Sequence, residues 1–123
     1  MSTSPIKKIL LLDDDKIQKI LLWKRLTRIN PGIEFVYFDR PSEALKYLRS
    51  ESVDLLLVDL NLPEMDGWEF VDEIGKLRAD CLVILQTASV MEEVFIRASQ
   101  DTRIHQIFEK PLSESDLFTI LGL

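Results

Sequence analysis

The chain has one cysteine and one histidine among its 123 residues. A single thiol cannot close an internal disulfide and offers no metal-ligand spacing. Cys81 opens an apolar run and reads as a small buried hydrophobe. His105 falls inside another such run and reads as structural, with nothing to support a phosphohistidine role. Long apolar stretches are also missing. None approaches the roughly 20 residues that a membrane span needs, so no membrane insertion is expected. The start, Met1-Ser-Thr-Ser-Pro5, has no apolar stretch before Lys7 and Lys8 and does not read as a signal peptide, which points to a soluble, cytoplasmic protein. Basic charge is scarce, with 15 Lys and Arg against 21 Asp and Glu and a net charge of −6, so direct nucleic-acid binding is not expected. Four Gly and five Pro are too few for a linker-rich or disordered chain. What remains is 46% hydrophobic residues, enough for one core and one domain over residues 1–123.

The apolar residues fall in short runs: Ile9 to Leu12, Ile33 to Phe38, Leu55 to Val58, Leu82 to Leu85 and Ile104 to Phe108. They are too short for helices and read as strands. Their near-continuous apolarity, without alternation, predicts burial on both faces and hence a parallel sheet. Between them lie helical patterns over 16–29, 42–49, 67–78, 90–99 and 114–121, each with a stripe assigned to the core. Leu22, Leu26 and Ile29 form the first stripe, Phe70, Val71, Ile74 and Leu77 the third, and Met91, Val94, Phe95 and Ala98 the fourth. Ser89-x-x-Glu92 and Ser113-x-x-Asp116 have the form of capping boxes, and Asn30-Pro31-Gly32 ends the first helix. The pattern is (βα)5. Right-handed crossovers make it an α/β, doubly wound, flavodoxin-like parallel sheet of five strands with helices on both faces.

In such sheets ligands bind beyond the carboxyl ends of the strands. Those ends carry Asp13-Asp14-Asp15, then Asp59 with Asn61, then Gln86-Thr87-Ala88-Ser89, then Glu109-Lys110-Pro111. Several carboxylates on one edge raise each other's pKa unless a cation offsets them. Mg2+, or Mn2+ in its place, suits such a set. Asp14, Asp59 and the backbone carbonyl of Asn61 are the expected ligands, with Asp13 acting through water. Lys110 then serves as a point charge for an anion and Thr87 as a hydroxyl donor to it. A nucleophilic carboxylate, a metal, a lysine and a hydroxyl are the parts of phosphoryl transfer to Asp59. Pro63 and the Asp66-Gly67 turn shape the loop that follows.

The motifs "LLLDDD", "LLLVDLNLPEMDG", "QTAS" and "FEKP", in this order, resemble the receiver domain of bacterial two-component response regulators over about residues 6–121. The resemblance implies an aspartyl-phosphate at Asp59, acidic metal residues at Asp13 and Asp14, phosphate contacts from Thr87 and Lys110, and a cis bond between Lys110 and Pro111. It further implies a histidine kinase or histidine phosphotransfer protein as donor, and signalling by protein contact rather than conventional enzyme turnover. Two features depart from the family pattern. The position three residues before the lysine, usually Tyr or Phe, is Ile107, while Phe108 comes one place later and faces the other side of the sheet. Only a short final helix follows Lys110, which reduces the surface it shares with the fourth helix.

Two other classes compete. A haloacid-dehalogenase-like phosphatase also uses a strand-end Asp with Mg2+, but Asp59-x-Asn61 lacks the second carboxylate and there is no cap domain. A receiver-fold interaction domain that works without phosphorylation would not need the full set of site residues present here. The leading reading is a stand-alone receiver, and a receiver cut from a longer regulator is the separate alternative. The first helix carries Ile17, Ile20 and Leu21 opposite its core stripe, beside Lys24 and Arg28, and this face is the expected docking surface for the phosphodonor.

Overall fold

The computed structural model describes residues 6–77 and 80–123. The Met1–Pro5 segment, on which the signal-peptide reading rests, and Arg78, the expected last residue of the third helix, lie outside the described residues. Five strands and five helices alternate: β1 (Lys8–Leu12), α1 (Lys16–Ile29), β2 (Glu34–Phe38), α2 (Pro41–Leu48), β3 (Leu55–Asp59), α3 (Gly67–Leu77), β4 (Leu82–Thr87), α4 (Glu92–Gln100), β5 (Gln106–Glu109) and α5 (Glu114–Leu121). All strand pairs are parallel, in the order β2-β1-β3-β4-β5. The expected fold is the observed one.

Strand alternation divides the core in two. Leu10, Leu12, Leu56, Val58, Val83 and Leu85 face one way and pack against Ala44 and Leu48 of α2, Phe70, Val71 and Ile74 of α3, and Ala98 of α4. Ile9, Leu11, Leu55, Leu57 and Ile84 face the other way, onto Leu22 and Leu26 of α1 and Leu117 and Ile120 of α5. Both faces of β1 and β3 are therefore buried, which is why their sequences show no polar alternation. Ile107 packs in the first cluster and Phe108 in the second, on opposite faces as expected.

The helix ends follow local chemistry. Asp15 caps α1, accepting from the amides of Ile17 and Gln18, and α1 stops at Asn30. Ser113 and Asp116 form the expected capping box on α5. The box expected at Ser89 does not form. There α4 begins at Glu92 after Met91, which makes no side-chain cap. The amide of Val90 instead donates to Glu109 Oε1 at 3.1 Å, tying the start of this loop to β5. A reciprocal cap appears at α3, where Glu69 N donates to Asp66 Oδ1 at 2.9 Å and Asp66 N to Glu69 Oε1 at 3.2 Å. Three stripe residues assigned to the core, Leu77, Met91 and Phe95, are exposed; Leu77 is the last residue of α3 and Met91 stands before the first turn of α4. Cys81 is half-buried ahead of β4 rather than fully inside it, and His105 lies just before β5 and is exposed.

Candidate functional site

The chain reverses its winding direction between β1 and β3, the position where a doubly wound sheet opens a crevice at its carboxyl edge. Asp13 follows β1 and Asp59 ends β3, so both border that crevice. Carboxylate oxygens of Asp13, Asp14 and Asp59 lie within 4.8 Å of one another. Asp13 is fully buried and Asp59 is 3% exposed, while Asp14 is open to solvent.

Lys110 reaches this group from beyond β5. Its Nζ lies 2.7 Å from Asp59 Oδ2 and 2.9 Å from Asp13 Oδ2. Its backbone N donates to Thr87 O at 2.7 Å, and the following peptide bond to Pro111 is cis, as the motif implied. Burial works against the Lys110 ammonium, but its bonds to Asp59 and Asp13 outweigh this and raise its pKa. Burial pushes the Asp13 carboxyl up to about 6, although the Asp15 amide and Lys110 pull the other way.

The backbone completes the cradle. Asp13 Oδ1 accepts from Asp15 N at 2.9 Å, and Asp59 Oδ1 from Asn61 N at 3.0 Å. The hydroxyl of Tyr37, on β2, donates to Asp13 O at 2.7 Å. Asn61 thus lies beside Asp59, joined to its carboxylate through the amide. Its loop folds back so tightly that Gly67 N donates to Leu60 O, and a Cβ on Gly67 would stand 2.8 Å from Asp59 O. Gly67 is needed for this close approach rather than for a turn conformation. The left-handed residue of the loop is Glu64, at φ 68°, and its carboxylate accepts from Ser42 N and Oγ, both at 3.0 Å. Two bonds to the start of α2 thereby offset the strain of a non-glycine residue in that region.

Thr87 ends β4, one step beyond the Asp59–Gln86 register pair, and is buried. By alternation it belongs to the opposite face of the sheet from Gln86. It borders an open groove with Leu60, Asn61, Trp68, Ala88 and Met91. The structure therefore gathers Asp13, Asp14, Asp59 and Lys110 at one point, while Asn61 and Thr87 share the groove beside Leu60. One participant was not expected. Gln86, 3% exposed, donates from Nε2 to Asp13 Oδ2 at 3.1 Å. Its signal in the sequence is an amide directly after the apolar run Leu82 to Leu85.

The hard oxygen donors of Asp13, Asp14 and Asp59, gathered within 4.8 Å, fit a hard divalent cation. Fold and site together define a doubly wound α/β domain with a carboxylate–lysine centre at its carboxyl edge. The chain belongs to the response regulator receiver domain family, whose model matches residues 9–122. It is 34% identical over 110 residues to the transcriptional regulatory protein GlrR of Escherichia coli (strain K12), covering 89% of this chain but only 24% of that protein. It is 30% identical over 113 residues to the response regulator receiver protein CpdR of Brucella abortus (strain 2308), covering 91% of each. Among solved structures, the phosphorylated cyanobacterial phytochrome response regulator RcpA superposes with a TM-score of 0.75 at 32% identity, over 94% of this chain and 89% of that one. A CheY-like receiver domain protein from Methanospirillum hungatei JF-1 gives a TM-score of 0.82 at 26% identity, over 95% and 91%. No helix among the described residues is long and apolar enough to cross a membrane.

Proposed function

We propose that this receiver accepts a phosphoryl group on Asp59 from a phosphohistidine on a histidine kinase or phosphotransfer protein. The observation that carries the reading is Lys110 Nζ bridging Asp59 and Asp13 within a cluster of three carboxylates. Asp59 Oδ attacks phosphorus, the P–N bond of the donor breaks, and the imidazole leaves with the electron pair. Lys110 keeps a positive charge beside the incoming oxygens, and the Asn61 amide holds the Asp59 carboxylate in place. Thr87 is the hydroxyl that meets the transferred group. Asp13, Asp14, Asp59 and the Asn61 carbonyl would hold Mg2+ or Mn2+, which offsets the charge of the reacting anion. The same residues would allow the domain to catalyse its own phosphorylation and dephosphorylation, without making it a conventional enzyme.

The donor's docking surface is the outer face of α1. Ile17 is 68% exposed and Ile20 51%, with Leu21 and Lys24 alongside, directly after the acidic cluster. Large aliphatics held in water favour a partner that covers them.

The test is loading with a small phosphodonor followed by intact mass. The wild type is expected to gain one phosphoryl group in the presence of Mg2+ and none in EDTA, and Asp59→Asn to gain none. Modification that persists in Asp59→Asn would rule out the assignment, and a wild type that never loads would favour an interaction domain that works without phosphate.

A further inference from the structure

We propose that Gln86 is a positioning residue that holds Asp13 back from direct contact with a cation, and so sets the preference of the site for Mg2+ over Ca2+. The proposal rests on the metal reading above. Gln86 and Asp59 are register partners on β4 and β3, so Gln86 projects beside the acidic centre on the α1 and α5 side of the sheet. Its Nε2 faces Asp13 Oδ2, because the alternative amide orientation would set its carbonyl oxygen against a carboxylate oxygen.

The acceptor capacity of Asp13 is then nearly used up. An ionised carboxylate offers about four lone-pair sites. On Asp13, Oδ2 receives Lys110 Nζ and Gln86 Nε2, and Oδ1 receives the Asp15 amide. A carboxylate so engaged is a poor direct ligand and a good acceptor from a water carried by the ion. Mg2+ is small and gives up its waters reluctantly, whereas Ca2+ takes more protein oxygens and binds carboxylates in bidentate fashion. Without Gln86, Oδ2 regains a free site and Asp13 can engage a larger ion directly.

The surroundings leave little room for water to take the place of the bond. Gln86, Asp13, Gln18, Leu22, Arg25 and Leu112 line a cavity of about 10 Å³, room for about one water at most. Arg25 Nη1 closes it by donating to Leu112 O at 2.6 Å. A network of waters cannot take over the role of the amide.

The experiment uses the full chain and titrates Mg2+ and Ca2+ separately by calorimetry, for the wild type and for Gln86→Met, which keeps length and volume but not the donor. The ratio of Mg2+ to Ca2+ affinity is expected to fall roughly tenfold in Gln86→Met, the size of effect typical for groups that orient metal ligands. An unchanged ratio in a folded variant overturns the proposal. If Gln86→Met does not fold, proton exchange of the Gln86 side-chain amide in the wild type decides. It is expected to stay slow in saturating Mg2+, and fast exchange would mean that the bond does not survive metal binding. A wild type that binds neither ion refutes the metal reading itself, an outcome distinct from an unchanged ratio.

Discussion

The Asp13 carboxyl illustrates what one residue costs the fold and why it is kept. The unfolded chain releases this proton near the ordinary value of 3.8, whereas the folded protein holds it to about 6. Between those values the folded state binds more protons, so the Asp13 contribution to stability falls as pH rises through that window. In urea unfolding without divalent cations, Asp13→Asn is expected to be more stable than wild type at pH 7 by on the order of 2–3 kcal/mol. The advantage should shrink toward pH 4, and an advantage that grows on acidification would contradict this account. At this scale much of the site was legible in the sequence. Asp59 stands where a buried apolar run ends, and a carboxylate there demands a partner. Gln86 was not legible as a partner, because nothing in a linear pattern says which of two neighbouring strand-end residues faces the carboxylates.

The elements were legible where a period or a strong local signal decided them, and less so where distant residues compete. The strands emerged from apolar runs, the end of α1 from Asn30 and the start of α5 from Ser113. The start of α4 did not, because Glu109, carried in on β5, takes the Val90 amide. No local motif records that competition. Its outcome leaves α4 without a side-chain cap at the end nearest Thr87, Ala88 and Ser89. If Asp59 is phosphorylated as proposed, these residues are expected to carry the rearrangement, since Ile107 stands where the receiver pattern described above has an aromatic ring. Phe108 is packed instead with the α1 and α5 cluster. Aromatic NMR of free and phosphorylated protein is expected to show Phe108 in one unchanged rotamer, with the largest shifts at residues 87–92. A rotamer change at Phe108 would overturn that division of roles.

At the scale of the whole molecule, a net charge of −6 coexists with one helix face of exposed aliphatics and lysines. If the proposed donor is an acidic helical bundle, its association with this face is expected to weaken as salt screens the attraction. Ile17→Asp and Leu21→Asp are expected to slow phosphoryl transfer from the protein donor by about tenfold or more, as loss of a central apolar contact does at an interface. Loading from a small phosphodonor should be unaffected, and wild-type transfer rates in both variants would remove α1 as the docking face. The site itself depends on long-range assembly. Asp13 and Asp59 come from the interior of the sheet, whereas Lys110 arrives on β5, an outer strand with a single neighbour. An outer strand is ordinarily the first to peel away. Here peeling would strip the counter-charge from two carboxylates shielded from water, so the centre acts as a latch on its own margin, and the strand least held by its neighbours is fastened by the chemistry it delivers.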